Sequence, residues 1–170
     1  MANTYTLIAS STVGAGGAAS ISFTSIASTW TDLVLKLSGR VTNGGNEANV
    51  SISINGSTSN FSQKGLYGDG SAAGSFSRTD NLNILLTVAS GATASTFGSA
   101  ELYLPNYAGS SNKSFSVDDV SENNATAAYA QMHAGLWSNT AAITSIALTP
   151  QGSGSFVQYS TAYLYGVKNA

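Results

Sequence analysis

The sequence predicts an all-β fold: a single antiparallel β-sandwich domain, jelly-roll-like, spanning residues 1–170. The dominant period is two, the spacing of a strand whose alternate side chains face opposite sides. Turn-forming Gly, Asn and Ser interrupt this pattern at short intervals and mark out about ten short strands. Eight tyrosines, six phenylalanines and two tryptophans in a chain that is 42% hydrophobic supply the anchors of a core. At this length folding buries roughly 70% of the unfolded chain's surface without help from a disulfide or a metal.

Along the chain, Tyr5, Leu7 and Ala9 alternate with Thr6 and Ile8 to open the first strand. A flexible glycine-rich turn follows Val13, before Ile21 and Phe23. From Thr31 to Val41 the leucines Leu33, Leu35 and Leu37 alternate with Val34, Lys36 and Ser38, which directs the leucines to the core. Val50, Ile52 and Ile54 repeat the pattern, and Asn55-Gly56 after them is a strong hairpin signal because both residues tolerate positive φ. Gly65 to Asp80 is polar and rich in glycine, so it reads as a loop with at most a short strand, and Gly68-Asp69-Gly70-Ser71 within it as a turn. The apolar run resumes from Asn81 to Val88. Phe97 to Tyr107 places Leu102 and Leu104 on one face and Phe97, Tyr103 and Tyr107 on the other, with Pro105 marking a strand end or an edge strand. Phe115 to Val117, Tyr129 to Trp137, Ile143 to Leu148 and Phe156 to Val167 complete the set. Ala125 to Ala134 has some helical propensity, but Tyr129, Gln131, His133 and Trp137 alternate with period two and favour a strand.

Composition excludes several functions. Only 8% of the residues are charged, against about a quarter in an average domain. Net charge is −2, and the six basic residues are scattered, so no basic stripe exists to neutralise phosphates or an anionic lipid surface. Nucleic acid and membrane are therefore not expected as partners. The N-terminal residues carry no basic and apolar leader, and no apolar stretch is long enough to span a bilayer, so neither signal-directed secretion nor a membrane span is expected. Cysteine is absent, which removes disulfide and redox chemistry.

Candidate chemistry is sparse. Asp118, Asp119 and Glu122 are a small acidic cluster, but adjacent strand residues point to opposite faces, so a solvated strand end is expected rather than a metal. His133 is the one imidazole, and no Gly-x-Ser-x-Gly elbow accompanies it, so a strand histidine satisfied by a neighbour is the expectation. Gly14 to Ala19 weakly resembles a dinucleotide fingerprint, yet strand residues Ile21 and Phe23 follow where a helix is required. No catalytic residue, metal or cofactor is expected. Tyr159, Tyr163 and Tyr165 are expected to share one strand face, as a subunit interface or a surface for stacking glycan rings.

Several longer stretches act together: Phe23 to Leu35, Ser51 to Gly56 with Asn60-Phe61 near it, Leu102 to Tyr107, Trp137 with Ala142 to Leu148, and Tyr163 to Ala170. Their order and spacing resemble small virion structural proteins of tailed bacteriophages, including cyanophages. The resemblance covers nearly the whole chain. It implies a jelly-roll-like structural subunit of the particle, with no catalytic motif to carry over. The leading expectation is a capsid decoration (cement) protein, a homo-oligomer, expected as a trimer, made in the bacterial cytoplasm and seated on the major capsid protein lattice of the virion. The alternative is a tail-fibre or receptor-recognition module that binds host surface glycan.

Overall fold

Alternation builds the sheets. In β3 (Asp32–Gly39) the side chains of Leu33, Leu35 and Leu37 are buried while Lys36 is exposed, and in β4 (Glu47–Ile54) Val50, Ile52 and Ile54 are buried between half-buried serines. The computed structural model describes residues 4–79, 83–124 and 128–168, none of them helical. The remaining strands are β1 (Tyr5–Thr12), β2 (Ile21–Phe23), β5 (Phe61–Gly68), β6 (Ala73–Thr79), β7 (Asn83–Val88), β8 (Gly98–Leu104), β9 (Lys113–Val120), β10 (Ala130–Trp137), β11 (Ile146–Pro150) and β12 (Thr161–Val167).

They form two antiparallel sheets, an eight-stranded one in the order β1-β12-β3-β8-β9-β10-β5-β6 and a four-stranded one in the order β2-β11-β4-β7. The pairs β1 with β12, β2 with β11, β3 with β8 and β4 with β7 nest inside one another. Such nesting is what a long hairpin gives when it is rolled into a sandwich, so the expected jelly roll is present. Two insertions enlarge it. The β5–β6 hairpin lies in sequence between β4 and β7, the β9–β10 hairpin between β8 and β11, and together they add four strands to the large sheet beyond β8. Strand β7 packs across β8 and β9, so β5 and β6 extend past the edge of the small sheet.

The core fills the space between the sheets with Leu33, Leu35, Ile52, Ile54, Phe61, Leu102, Trp137 and Phe156. Phe61 and Trp137, cross-strand partners on β5 and β10, stack with centroids 6.2 Å apart.

Several expectations need correction. The stretch from Gly65 onward is the end of β5, the tight Asp69 turn and β6, whereas Asp80 to Leu82 fall outside the described residues. The Asp69 turn itself is as expected: its Oδ1 accepts the N–H groups of Ser71 and Ala72 at 2.9 and 2.7 Å, and these bonds hold its carboxyl below the usual carboxylate range. Asn55 and Gly56 do adopt positive φ, 52° and 72°, but β4 and β5 do not pair as a hairpin. The tight turn closes one bridge, Ile54 to Ser57, and the chain then crosses to the other sheet. Tyr107 lies past the end of β8 and is fully buried, its hydroxyl donating to the Ala27 carbonyl, rather than on the outer face with Tyr103. As expected, the described part of 125–134 enters a strand, β10, and not a helix, while Ala125 to Ala127 lie outside the described residues.

Candidate functional site

Two surfaces stand out: the outer face of the eight-stranded sheet, and a cleft where that sheet runs past the small one.

The outer face is set by register. Leu7, Tyr165, Val34 and Tyr103 are successive cross-strand partners, and beside them runs the row Tyr163, Lys36, Glu101, Asp118, Met132 and Leu66. Tyr163 and Tyr165 stack at 6.4 Å, and Tyr5 meets Tyr165 edge-on at 6.3 Å. Tyr103 donates to Asp32 Oδ2 at 2.9 Å, a bond that raises the phenol's pKa. Among the described residues, every exposed large apolar side chain except Tyr159 lies on this face: Tyr5, Leu7, Tyr103 and Tyr163 in one half, Leu66, Met132 and Val120 in the other. Lys36 and Glu101, paired at 2.7 Å, separate the two halves together with Asp118. Tyr163 and Tyr165 thus share a strand face as expected. Tyr159 does not: it precedes β12 in a turn, with φ of 71°, and is 69% exposed.

The cleft is a product of the insertions. Its floor is the inner face of β6, β5 and β10, its wall is Glu47 to Asn49 of β4 with Leu86 of β7, and its volume is about 440 Å³. Two aromatic rings pave the floor because each lies over a glycine on the neighbouring strand. Tyr67 faces Gly74, where a Cβ would come within 2.5 Å of the ring, and Phe76 faces Gly65, where a Cβ would come within 2.3 Å. Tyr129 stands against Tyr67 with centroids 6.0 Å apart and planes at 59°. Arg78 lays its guanidinium 4.3 Å from the centre of the Phe76 ring. Glu47 lines this region, its Oε2 enclosed by protein without a hydrogen-bond partner.

Beneath the cleft a buried polar layer satisfies the free edge of β7. Asp119 Oδ2 accepts the Leu86 N–H at 3.2 Å, and Gln63 Nε2 donates to the Asn83 carbonyl at 3.1 Å. An unpaired strand edge needs such partners when it is buried. Gln63 Oε1 lies 3.2 Å from Nδ1 of His133, and Gln131 of the cleft floor lies 3.0 Å from Nε2. Burial first, then the Arg78 charge, holds the imidazole down to about 4, so the ring is neutral at ordinary pH. Since Gln63 presents its oxygen, Nδ1 carries the proton; Nε2 is then an acceptor, which assigns the Gln131 amide the flipped orientation, with its nitrogen in place of Oε1 toward the ring. His133 is therefore satisfied by neighbours, as the sequence implies.

Asp119 overturns the expectation of a solvated strand end. Asp118 is exposed, but Asp119 is fully buried, its Oδ1 has no partner, and its Oδ2 is 3.8 Å from His133 Nε2. Burial pushes its carboxyl up to about 7 against the lowering effect of the Leu86 N–H. Among the described residues no group of three His, Asp or Glu side chains is placed to hold a metal.

No protein-family model matches the chain, and neither the curated proteins nor the solved structures include a significant match.

Proposed function

We propose that this chain is a structural subunit of a tailed-bacteriophage virion, a decoration protein that self-associates and seats on the outer lattice of the major capsid protein. The observation that carries the reading is that, among the described residues, the exposed large apolar side chains other than Tyr159 gather on one sheet face, crossed by the Lys36–Glu101 ion pair. Exposed apolar patches of this kind mark protein contacts, and aromatic residues are enriched at the centres of interfaces. The polar strip of Lys36, Glu101 and Asp118 divides the face into two apolar halves, which suits a subunit that must meet both its own copies and a shell. A cement subunit bridging neighbouring capsomers gains avidity with each foothold, so it binds the assembled lattice far more tightly than free capsid protein.

The test compares particles with and without the protein. Loss of resistance to heat or chelator with normal host adsorption supports decoration. Lost adsorption with an unchanged shell overturns it in favour of the second reading, a tail-fibre or receptor-recognition module, whose support is the aromatic cleft.

A further inference from the structure

We infer that the cleft between β4 and the β5–β6 extension is a binding site for a neutral pyranose sugar. The inference is independent of where in a virion the chain sits.

Gly65 and Gly74 carry no side chain where one would strike the rings of Phe76 and Tyr67, and this lets both rings lie along the floor. Arg78 covers the Phe76 ring on the side away from Gly65, so the stacking surface left open is Tyr67, with Tyr129 closing one side at an angle. A pyranose ring has one feature that suits such a corner: a C–H face that stacks on an aromatic plane while its hydroxyls project from the rim. The volume of about 440 Å³ falls within the range of small-molecule sites, roughly 300 to 1,000 Å³.

The polar groups match the hydroxyls. The Glu47 carboxylate has no hydrogen-bond or ion-pair partner among the described residues, and with Oε2 enclosed by protein it is Oε1 that a donor in the cleft can reach. A sugar hydroxyl is such a donor, and a bond to an ionised acceptor is stronger than a neutral one. Asn49 and Gln131 line the same space with amides able to donate and accept. The hydroxyls of Tyr67 and Tyr129 make no hydrogen bond among the described residues, which leaves both for ligand. Gln131 is held in place by His133, so one of the cleft's amides is fixed before ligand arrives.

The charge balance selects a neutral sugar. Arg78 and Glu47 line the same cleft without pairing to each other, so an anionic ligand would meet the carboxylate and a cationic one the guanidinium. A nucleotide would bring phosphates to that carboxylate. A neutral polyol can use both groups at once.

The test is a glycan array carrying neutral oligosaccharides of glucose, galactose, mannose and N-acetylglucosamine beside sialylated and sulfated ones, probed with the full chain. The strongest neutral hit is then titrated calorimetrically against variants. Binding to a subset of neutral glycans is expected. Glu47→Gln, which keeps the shape, should weaken it about tenfold, the loss of one charged hydrogen bond. Tyr67→Ala and Tyr129→Ala should each weaken it further, and Tyr163→Ala on the outer face should leave it unchanged. Melting temperatures identify any variant that fails to fold, and Glu47→Gln alone still decides the matter. Absence of binding to every neutral glycan, binding confined to sialylated or sulfated ones, or binding indifferent to Glu47→Gln and Tyr67→Ala would each overturn the inference.

Discussion

The Asp119 carboxyl, from β9 of the large sheet, accepts the backbone N–H of Leu86 on β7 of the small sheet at 3.2 Å. One side chain thereby ties the two layers together and occupies a donor that the free edge of β7 would otherwise leave buried and unpaired. Next to it, His133 and Gln63 continue the polar layer toward Asn83. This layer sets the first prediction.

Asp119 and His133 should oppose each other in the pH dependence of stability. Between pH 3.8 and about 7 the folded chain keeps a proton on Asp119 that the unfolded chain has released, so this contribution falls as pH rises. Between about pH 4 and 6.5 the unfolded chain holds a proton on His133 that the folded chain has released, so that contribution rises. Removing one group exposes the other. Relative to the parent chain, Asp119→Asn should gain stability across about pH 4 to 7, and His133→Gln should lose it across about pH 4 to 6.5, each on the order of a few kcal/mol. Urea melts in a buffer series measure this. Three parallel curves would mean that the protons are placed wrongly.

Leu35→Ala should cost about 2 to 5 kcal/mol, because Leu35 is fully buried and its removal leaves a cavity between the sheets. Its neighbour Lys36 points outward to the exposed Glu101, and Lys36→Ala should cost about 0 to 1 kcal/mol. Equal melting temperatures for the two variants would contradict the face assignment.

Glycine positions opposite aromatic rings should be unequal. Gly135 pairs with Phe115, and a Cβ there would come within 2.0 Å of a ring that is itself buried in the core. Gly65 pairs with Phe76, whose ring is only half-buried and sits on the edge strand β6 rather than in the core. Gly135→Ala should therefore destabilise by about 1 to 3 kcal/mol or more, and Gly65→Ala by less. Thermal melts showing the reverse order would mean that the edge ring is the more rigid.

These pairs also show what the sequence could and could not disclose. Leu33, Leu35 and Leu37 announce their strand because one face is apolar and the other is not. Strand β6 hides because Ser75, Ser77 and Thr79 face outward on an edge, and Phe76 is its one large apolar residue. The cleft was not legible because Tyr67, Phe76 and Tyr129 come from separate segments and meet only once β5 pairs with β6 and β10. Asp119 was legible in principle. It continues the phase of Phe115 and Val117, so period two alone places it on the inner face.

Asn55 should matter both for its backbone and for its amide. Its φ is 52°, and its Oδ1 accepts the N–H groups of Thr144 and Ser145 at 2.8 and 3.1 Å while Nδ2 donates to the Ala142 carbonyl at 2.8 Å. The turn thus fastens β4 to the segment entering β11. Asn55→Gly keeps the conformation and loses the bonds, whereas Asn55→Ala loses both. The alanine variant should be less stable than the glycine variant by about 1 kcal/mol, the cost of a left-handed alanine. Chemical denaturation of the pair measures the difference, and equal values would place the whole effect in the side-chain bonds.

Self-association should run through the aliphatic half of the outer face and resist salt. Leu66 and Met132 are cross-strand partners and are 63% and 65% exposed, more than any other apolar residue on that face. An interface that covers them therefore gains the most from burial. Few charges lie nearby, and at about 1 M salt, where the screening length is roughly 3 Å, contacts of this kind are little weakened. Light scattering should show the same oligomer at low and high salt. Leu66→Glu or Met132→Glu places a charge inside the contact and should yield monomers, while Tyr159→Glu, off the face, should leave the oligomer intact. A monomer at micromolar concentration in the parent chain, or dissociation on modest addition of salt, would count against assembly through this face.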